Sequence, residues 1–110
     1  MAGGAALNRG EIWWAHLPPP DKTRPVVLVS REEAYEVRSV LTVAKVTTRR
    51  RGLRSEIALG AAEGMPRESV ANCDDVMTIR KAQLRERIGR VGAGRLAELD
   101  AALRYALGLE

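Results

Sequence analysis

Through most of this chain apolar and polar positions follow strand spacing, and only the last stretch shows the spacing of a helix. The most decisive run is Thr23-Arg24-Pro25-Val26-Val27-Leu28-Val29-Ser30. Its valines and leucine follow one another without a polar alternate, which predicts a strand buried on both faces at a sheet's centre. Proline suits the first residue of such a strand, because its missing N–H then falls outside the ladder. It also holds Arg24 extended, since the α region is disfavoured before proline. An always-charged guanidinium is thereby placed at the mouth of a rigid strand.

Residues 10–17 read as an earlier strand, with Ile12, Trp14 and His16 on one face and Trp13, Ala15 and Leu17 on the other. Pro18, Pro19 and Pro20 cannot sustain a ladder, so a loop leads into the central strand. Residues 31–36 are good helix formers, with Ser30 as N-cap and Glu33 in the capping-box position. Residues 39–47 form a long β-branched strand whose end turns abruptly basic at Thr47-Thr48-Arg49-Arg50-Arg51-Gly52. A short strand follows at 56–59, then a turn-rich link over 60–67. Two strand pieces, 69–73 and 76–79, are split by Asp74-Asp75, a pattern that suggests a bulge or bend. One helical turn over 80–85 and a strand over 87–91 precede the terminal helix at 93–107. There Leu96, Leu99, Leu103 and Leu107 form a stripe widened by Ala102 and Ala106. Asp100 and Arg104 are spaced for an i,i+4 pair, and Gly108 suits the position just past the helix end. Many short strands with one closing helix predict a mainly β fold: a small, strongly curved antiparallel barrel or half-barrel, with a helix across one side.

The length of 110 residues allows one domain. We place it at residues 9–110, after a flexible leader of residues 1–8. A chain this small buries a modest core, so a partner subunit would help it. The net charge of +4 favours polyanionic partners only mildly. The lone Cys73 excludes an intramolecular disulfide and fits a reducing, cytoplasmic setting. No stretch approaches the roughly 20 apolar residues that span a bilayer, so no membrane association is expected.

Candidate chemistry narrows quickly. One histidine excludes a nuclease built on two imidazoles, and one cysteine far from it excludes a zinc site of any usual spacing. No phosphate-cradling glycine motif or nucleophile elbow is present, and no cofactor or metal is implied. The polar groups gather at two strand ends: Arg24 before the central strand, and Thr47, Thr48 and Arg49 to Arg51 after the next. Antiparallel pairing would set Arg24 beside Thr47. A planar guanidinium next to a hydroxyl suits a phosphodiester. The arginine run fits a phosphate-binding groove and equally a solvated loop.

In this order and spacing several segments resemble the MazF/PemK toxins, the ribonuclease partners of type II toxin–antitoxin pairs. They are Arg9-Gly10-Glu11-Ile12-Trp13, Arg24-Pro25-Val26-Val27-Leu28-Val29-Ser30 and Val43-Ala44-Lys45-Val46-Thr47-Thr48. Further along come Arg67-Glu68-Ser69-Val70-Ala71-Asn72-Cys73-Asp74, Met77-Thr78-Ile79 and Arg87-Ile88-Gly89-Arg90-Val91. The resemblance implies an SH3-like barrel, a homodimer, metal-independent cleavage of single-stranded RNA, and neutralisation by a MazE-like antitoxin. It sets the catalytic arginine on Arg24 and the catalytic hydroxyl on Thr47, with Thr48 as the alternative register. Lys22, Arg49, Arg50, Arg51 and Asp75 are expected to contact RNA. His16, an imidazole of the kind that moves protons in general acid–base catalysis, is a candidate base or RNA contact. The 18–23 loop is shorter than in many relatives, and His16, Asp75 and Met77 depart from common family residues, which bears on base specificity. The same barrel also resembles CcdB-like gyrase-inhibiting toxins, which bind a protein and catalyse nothing; a non-catalytic RNA-binding barrel is a third reading.

Overall fold

The structure is a computed structural model, and it describes residues 6–109. The start of the expected leader therefore lies outside the described residues, whereas Leu7 is packed into the core. Six antiparallel strands form one sheet: β1 Glu11–His16, β2 Thr23–Leu28, β3 Val40–Thr47, β4 Glu56–Leu59, β5 Ser69–Arg80 and β6 Leu84–Arg90. Their spatial order is β4-β5-β3-β2-β1-β6, so β2 lies inside the sheet as its apolar run requires. Val26, Val27 and Leu28 are fully buried. The sheet curls into a half-barrel closed by the C-terminal helix.

Side chains leave the curled sheet alternately into two cores. Trp13, Ala15 and Leu17 join Val26, Leu28, Leu41 and Val43 in one. Ile12, Val27, Ala44 and Val46 join Leu99 and Ala102 of the terminal helix in the other. Glu11 is the buried carboxylate of β1, and it is satisfied: Trp13 Nε1 donates to it at 3.0 Å and Arg87 lies 3.6 Å away.

Several local expectations change. Pro25 stands inside β2, opposite Trp14, rather than at its first residue. The β2–β3 ladder begins only after it, at Val26↔Lys45. Ser30 caps nothing, because its Oγ accepts from the Thr42 amide at 2.7 Å. The first helix, α1, shrinks to Ala34–Val37 without a side-chain cap. The two pieces around Asp74-Asp75 form one continuous strand, β5. The expected bulge is real: pairing with β3 passes from Ala44↔Val76 to Lys45↔Asn72, which leaves Cys73 to Asp75 outside the ladder. The Cys73 amide donates instead to Ser55 O at 2.8 Å, and Ser55 Oγ donates to the Asp74 carboxylate.

The terminal helix, α2 Leu96–Ala106, buries Leu99 and Ala102 but leaves Leu107 exposed just past its end. Asp100 pairs with Arg9 across the fold at 2.7 Å, not with Arg104 along the helix. Gly108 has φ +69°, the left-handed conformation expected after a helix.

Candidate functional site

The β2–β3 register decides which side chains meet. With Val26 opposite Lys45, two further residues along each strand bring Arg24 opposite Thr47. Both line the same two adjoining grooves, one of about 340 Å³ and one of about 140 Å³. The sequence-level juxtaposition of these strand ends is what the fold produces.

The smaller groove is polar. Besides Arg24 and Thr47 it is lined by Asp21, Lys45, Arg49, Arg51, Asn72 and Asp75. Lys45 Nζ donates to Asp21 Oδ2 at 2.6 Å and lies 3.5 Å from Asp75, while Arg24 Nη2 lies 3.3 Å from Asp21 Oδ1. The Lys45 ammonium holds the Asp21 carboxyl below its ordinary value, and Asp21, chiefly through the same hydrogen bond, raises Lys45. Two cations thus converge on one loop carboxylate. Arg24 Nε is nevertheless buried without a hydrogen-bond partner among the described residues. A buried donor left without a partner costs free energy.

Loops on either side are held by local bonds. Leu17 N donates to Lys22 O at 2.7 Å, closing the proline loop, and Lys22 itself takes φ +56°. The Glu56 carboxylate accepts from the amides of Arg51, Gly52 and Leu53, and Thr47 Oγ1 accepts from the Arg49 amide at 3.1 Å. The arginine loop is therefore an ordered turn, and it aims Arg49 and Arg51 at the polar groove.

The larger groove is mostly apolar, lined by Trp14, Pro25, Val46, Met65 and Pro66 together with Thr23, Thr48, Arg67 and Ser69. Its far wall is held by Gly64 at φ +87°, where a Cβ would meet Ile88 O at 2.6 Å. Glu63, which accepts from Gly60 N at 2.7 Å and pairs with Arg95 at 3.1 Å, secures the same turn.

Of the residues singled out from sequence, Arg24, Thr47, Arg49, Arg51 and Asp75 meet at the polar groove, and Thr48 lines the apolar one. His16, Lys22 and Arg50 line neither and are exposed. His16 ends β1, opposite Thr23, where its carbonyl accepts from Gln83 Nε2 at 2.9 Å. Sequence reasoning missed Asp21, Lys45, Trp14 and Arg67. Lys45 was within reach: it is the charged residue in an apolar strand, two positions before Thr47 and so on the same face.

A curled sheet whose inner strands end in clustered guanidinium, ammonium and hydroxyl donors defines a small barrel protein with a strand edge whose donors suit a phosphodiester. Comparison with known proteins refines that class. A family described as PemK-like, MazF-like toxin of type II toxin-antitoxin system matches residues 8–107. The chain belongs to this family. It is 36% identical over 103 residues to a Mycobacterium tuberculosis protein named "Probable endoribonuclease MazF2", covering 93% of this chain and 99% of that one. The solved Mycobacterium tuberculosis toxin MazF-mt6 superposes with a TM-score of 0.84 at 35% identity, covering 91% of this chain and 98% of that chain. An endoribonuclease in complex with its cognate antitoxin, from a mycobacterial species, shares the fold at TM-score 0.85 and 24% identity, covering 96% and 98%.

Proposed function

We propose that this toxin is an endoribonuclease that cuts single-stranded RNA at the Arg24–Thr47 edge and is held in check by a cognate antitoxin protein. The observation that carries the reading is the meeting of the Arg24 guanidinium, whose Nε has no partner among the described residues, with Thr47 at the same grooves. Family membership and relatives named as endoribonucleases support it.

The nucleophile comes from the substrate. The ribose 2′-OH attacks the adjacent phosphorus, the P–O5′ bond breaks, the departing 5′-oxygen takes a proton from water, and a 2′,3′-cyclic phosphate and a 5′-OH remain. No metal is needed to generate that nucleophile, and DNA, which lacks the 2′-OH, is not cut. Arg24 neutralises the charge that gathers on the phosphoryl oxygens, and Thr47 Oγ1 donates to the same group. A guanidinium stays charged at any working pH and makes a poor base. His16 lies two residues beyond Trp14 on the same face of β1, and its imidazole is our candidate to take the 2′-OH proton. Arg49 and Arg51 hold neighbouring phosphates; Lys22, Arg50 and Thr48 reach RNA further out. Asp75, tied to Lys45, limits how the backbone enters the groove.

The working form we propose is a cytoplasmic homodimer, in keeping with the reduced, buried Cys73. No described helix is long and apolar enough to cross a membrane.

The test is cleavage of varied RNAs in EDTA with end-group analysis, run beside Arg24→Ala and His16→Ala. We expect cyclic-phosphate ends from the wild-type protein and a loss of about a hundredfold or more in Arg24→Ala. Failure to cut any RNA at high protein concentration overturns the enzyme reading. Wild-type rates in Arg24→Ala overturn the site, and in His16→Ala they remove that base.

A further inference from the structure

Glu56 lines neither groove, yet the arginine loop closes on it. Its carboxylate accepts from three successive amides: Arg51 at 3.1 Å, Gly52 at 3.0 Å and Leu53 at 3.3 Å. The Glu56 amide donates in turn to Leu53 O at 3.0 Å, so one residue fastens the turn with both its side chain and its backbone. Gly52, at φ +72°, supplies the left-handed backbone that lets those amides converge on one anion.

The root of this clasp is rigid. Glu56 begins β4 opposite Asn72, which itself lies opposite Lys45 of β3. The preceding residue, Ser55, is fully buried. Its carbonyl accepts from the Cys73 amide at 2.8 Å, and its hydroxyl donates to the Asp74 carboxylate. The bulge of β5 therefore grips the chain one residue before Glu56. From there the effect reaches the chemistry through Arg49, whose amide donates to Thr47 Oγ1 at 3.1 Å. That bond occupies one lone pair of an otherwise free rotor and leaves the hydroxyl hydrogen for another acceptor. A bond between residues two apart in an exposed loop competes with water unless its donor is held. Only Arg50 separates Arg49 from the clasped Arg51 amide, so the tether is short.

We propose that Glu56 is a positioning residue for the Thr47 hydroxyl: by clasping residues 51–53 it keeps the Arg49 amide on Thr47 Oγ1 and so reserves the hydroxyl hydrogen for the phosphate. A donor aimed in advance costs no reorganisation when charge develops on the phosphoryl oxygens. Glu56 touches no substrate and acts only through the loop. The proposal rests on the ribonuclease reading, and the first of its two measurements needs no cleavage.

Amide exchange with water is followed by NMR in the full chain and in Glu56→Ala and Glu56→Gln. Glu56→Ala should speed exchange about tenfold or more at Arg51, Gly52 and Leu53, and at Arg49 as well, while the amides of Val27, Leu28 and Val43 keep wild-type rates. Glu56→Gln, which retains one acceptor oxygen, should fall between, and it carries both measurements if Glu56→Ala does not fold. A wild-type rate at Arg49 while residues 51–53 exchange faster overturns the proposal, because the clasp then stops short of Thr47. The second measurement is kcat at saturating RNA in a cycle of Glu56→Ala and Thr47→Val. Glu56→Ala should lower kcat about ten- to a hundredfold when Thr47 is present. In the Thr47→Val background it should change kcat little, since the hydroxyl it positions is gone. Loss by the same factor in both backgrounds overturns the proposal and leaves Glu56 a part of the fold alone. A wild-type protein that cuts no RNA refutes the enzyme reading, and the exchange rate at Arg49 still decides for or against the clasp.

Discussion

The middles of β2 and β3 differ from their shared end as if they belonged to two proteins. In the middle, Val26, Val27, Leu28, Val43 and Ala44 are fully buried. Two residues further on, Arg24, Lys45 and Thr47 gather with Asp21 and Asp75 around a groove, and one buried guanidinium nitrogen has no partner. The middle fastens the strands, and the end gives up part of that stability to crowd cations and a buried, unpartnered donor together. A site needs both, because donors preorganise charge only when the backbone beneath them cannot give way. Short distance along a rigid strand is what keeps the two requirements from colliding.

The sharpest way to break this division is a pair of variants from its two sides. Leu99→Ala removes a fully buried side chain beneath the sheet and should cost about 2–5 kcal/mol in urea denaturation, while activity per folded molecule is kept. Thr47→Val keeps the shape at the strand end and should lower kcat on the order of a hundredfold with Tm nearly unchanged. A large stability loss in Thr47→Val would show that the end is structural after all.

A smaller effect should distinguish the arginines from one another. Replacing Arg49 and Arg51 together should reduce the salt dependence of RNA binding, by about 0.7 in the log–log slope per lost phosphate contact. Arg50, which lines neither groove and meets RNA further out, should change the slope less than either. Equal effects at all positions would return the loop to a diffuse positive surface.

The smallest effect concerns acid. Lys45 holds the Asp21 carboxyl below its ordinary 3.8. A carboxylate with a lowered folded-state pKa contributes fully above its unfolded pKa and loses that contribution as pH falls through the folded value. Wild type should therefore lose stability below about pH 4 more steeply than Asp21→Asn, by about 1 kcal/mol or less for so accessible a pair. Lys45, raised above 10.5, adds its share below that pH and loses it in stronger alkali. Matching acid limbs would show the pair to be fully solvated.

Much of this protein was determined by local sequence chemistry. The uninterrupted apolar run of β2, the β-branched β3 and the leucine stripe of α2 each have one comfortable environment, so the interior strand and the closing helix follow from them. Arg24 at the mouth of β2 was legible for the same reason, as was its meeting with Thr47, because antiparallel neighbours join end to start. Its catalytic role rested on family likeness and stays a proposal.

Other features depend on partners distant in sequence. Ser30 looked like a helix cap until the Thr42 amide of the next strand claimed its hydroxyl. Asp100 looked like a helix-surface partner for Arg104 until Arg9 arrived from the chain's beginning. Asp21 read as a polar loop residue, and only the fold brings Lys45 to it from β3. Trp14 and Trp13 are adjacent aromatic residues with the same local preference. One is core and the other wall, because sheet curvature and the turn at Met65 leave a concavity on one side alone. Side-chain type and spacing decide secondary structure and the face a residue takes, whereas a hydrogen bond or groove needs two segments that only tertiary packing brings within reach.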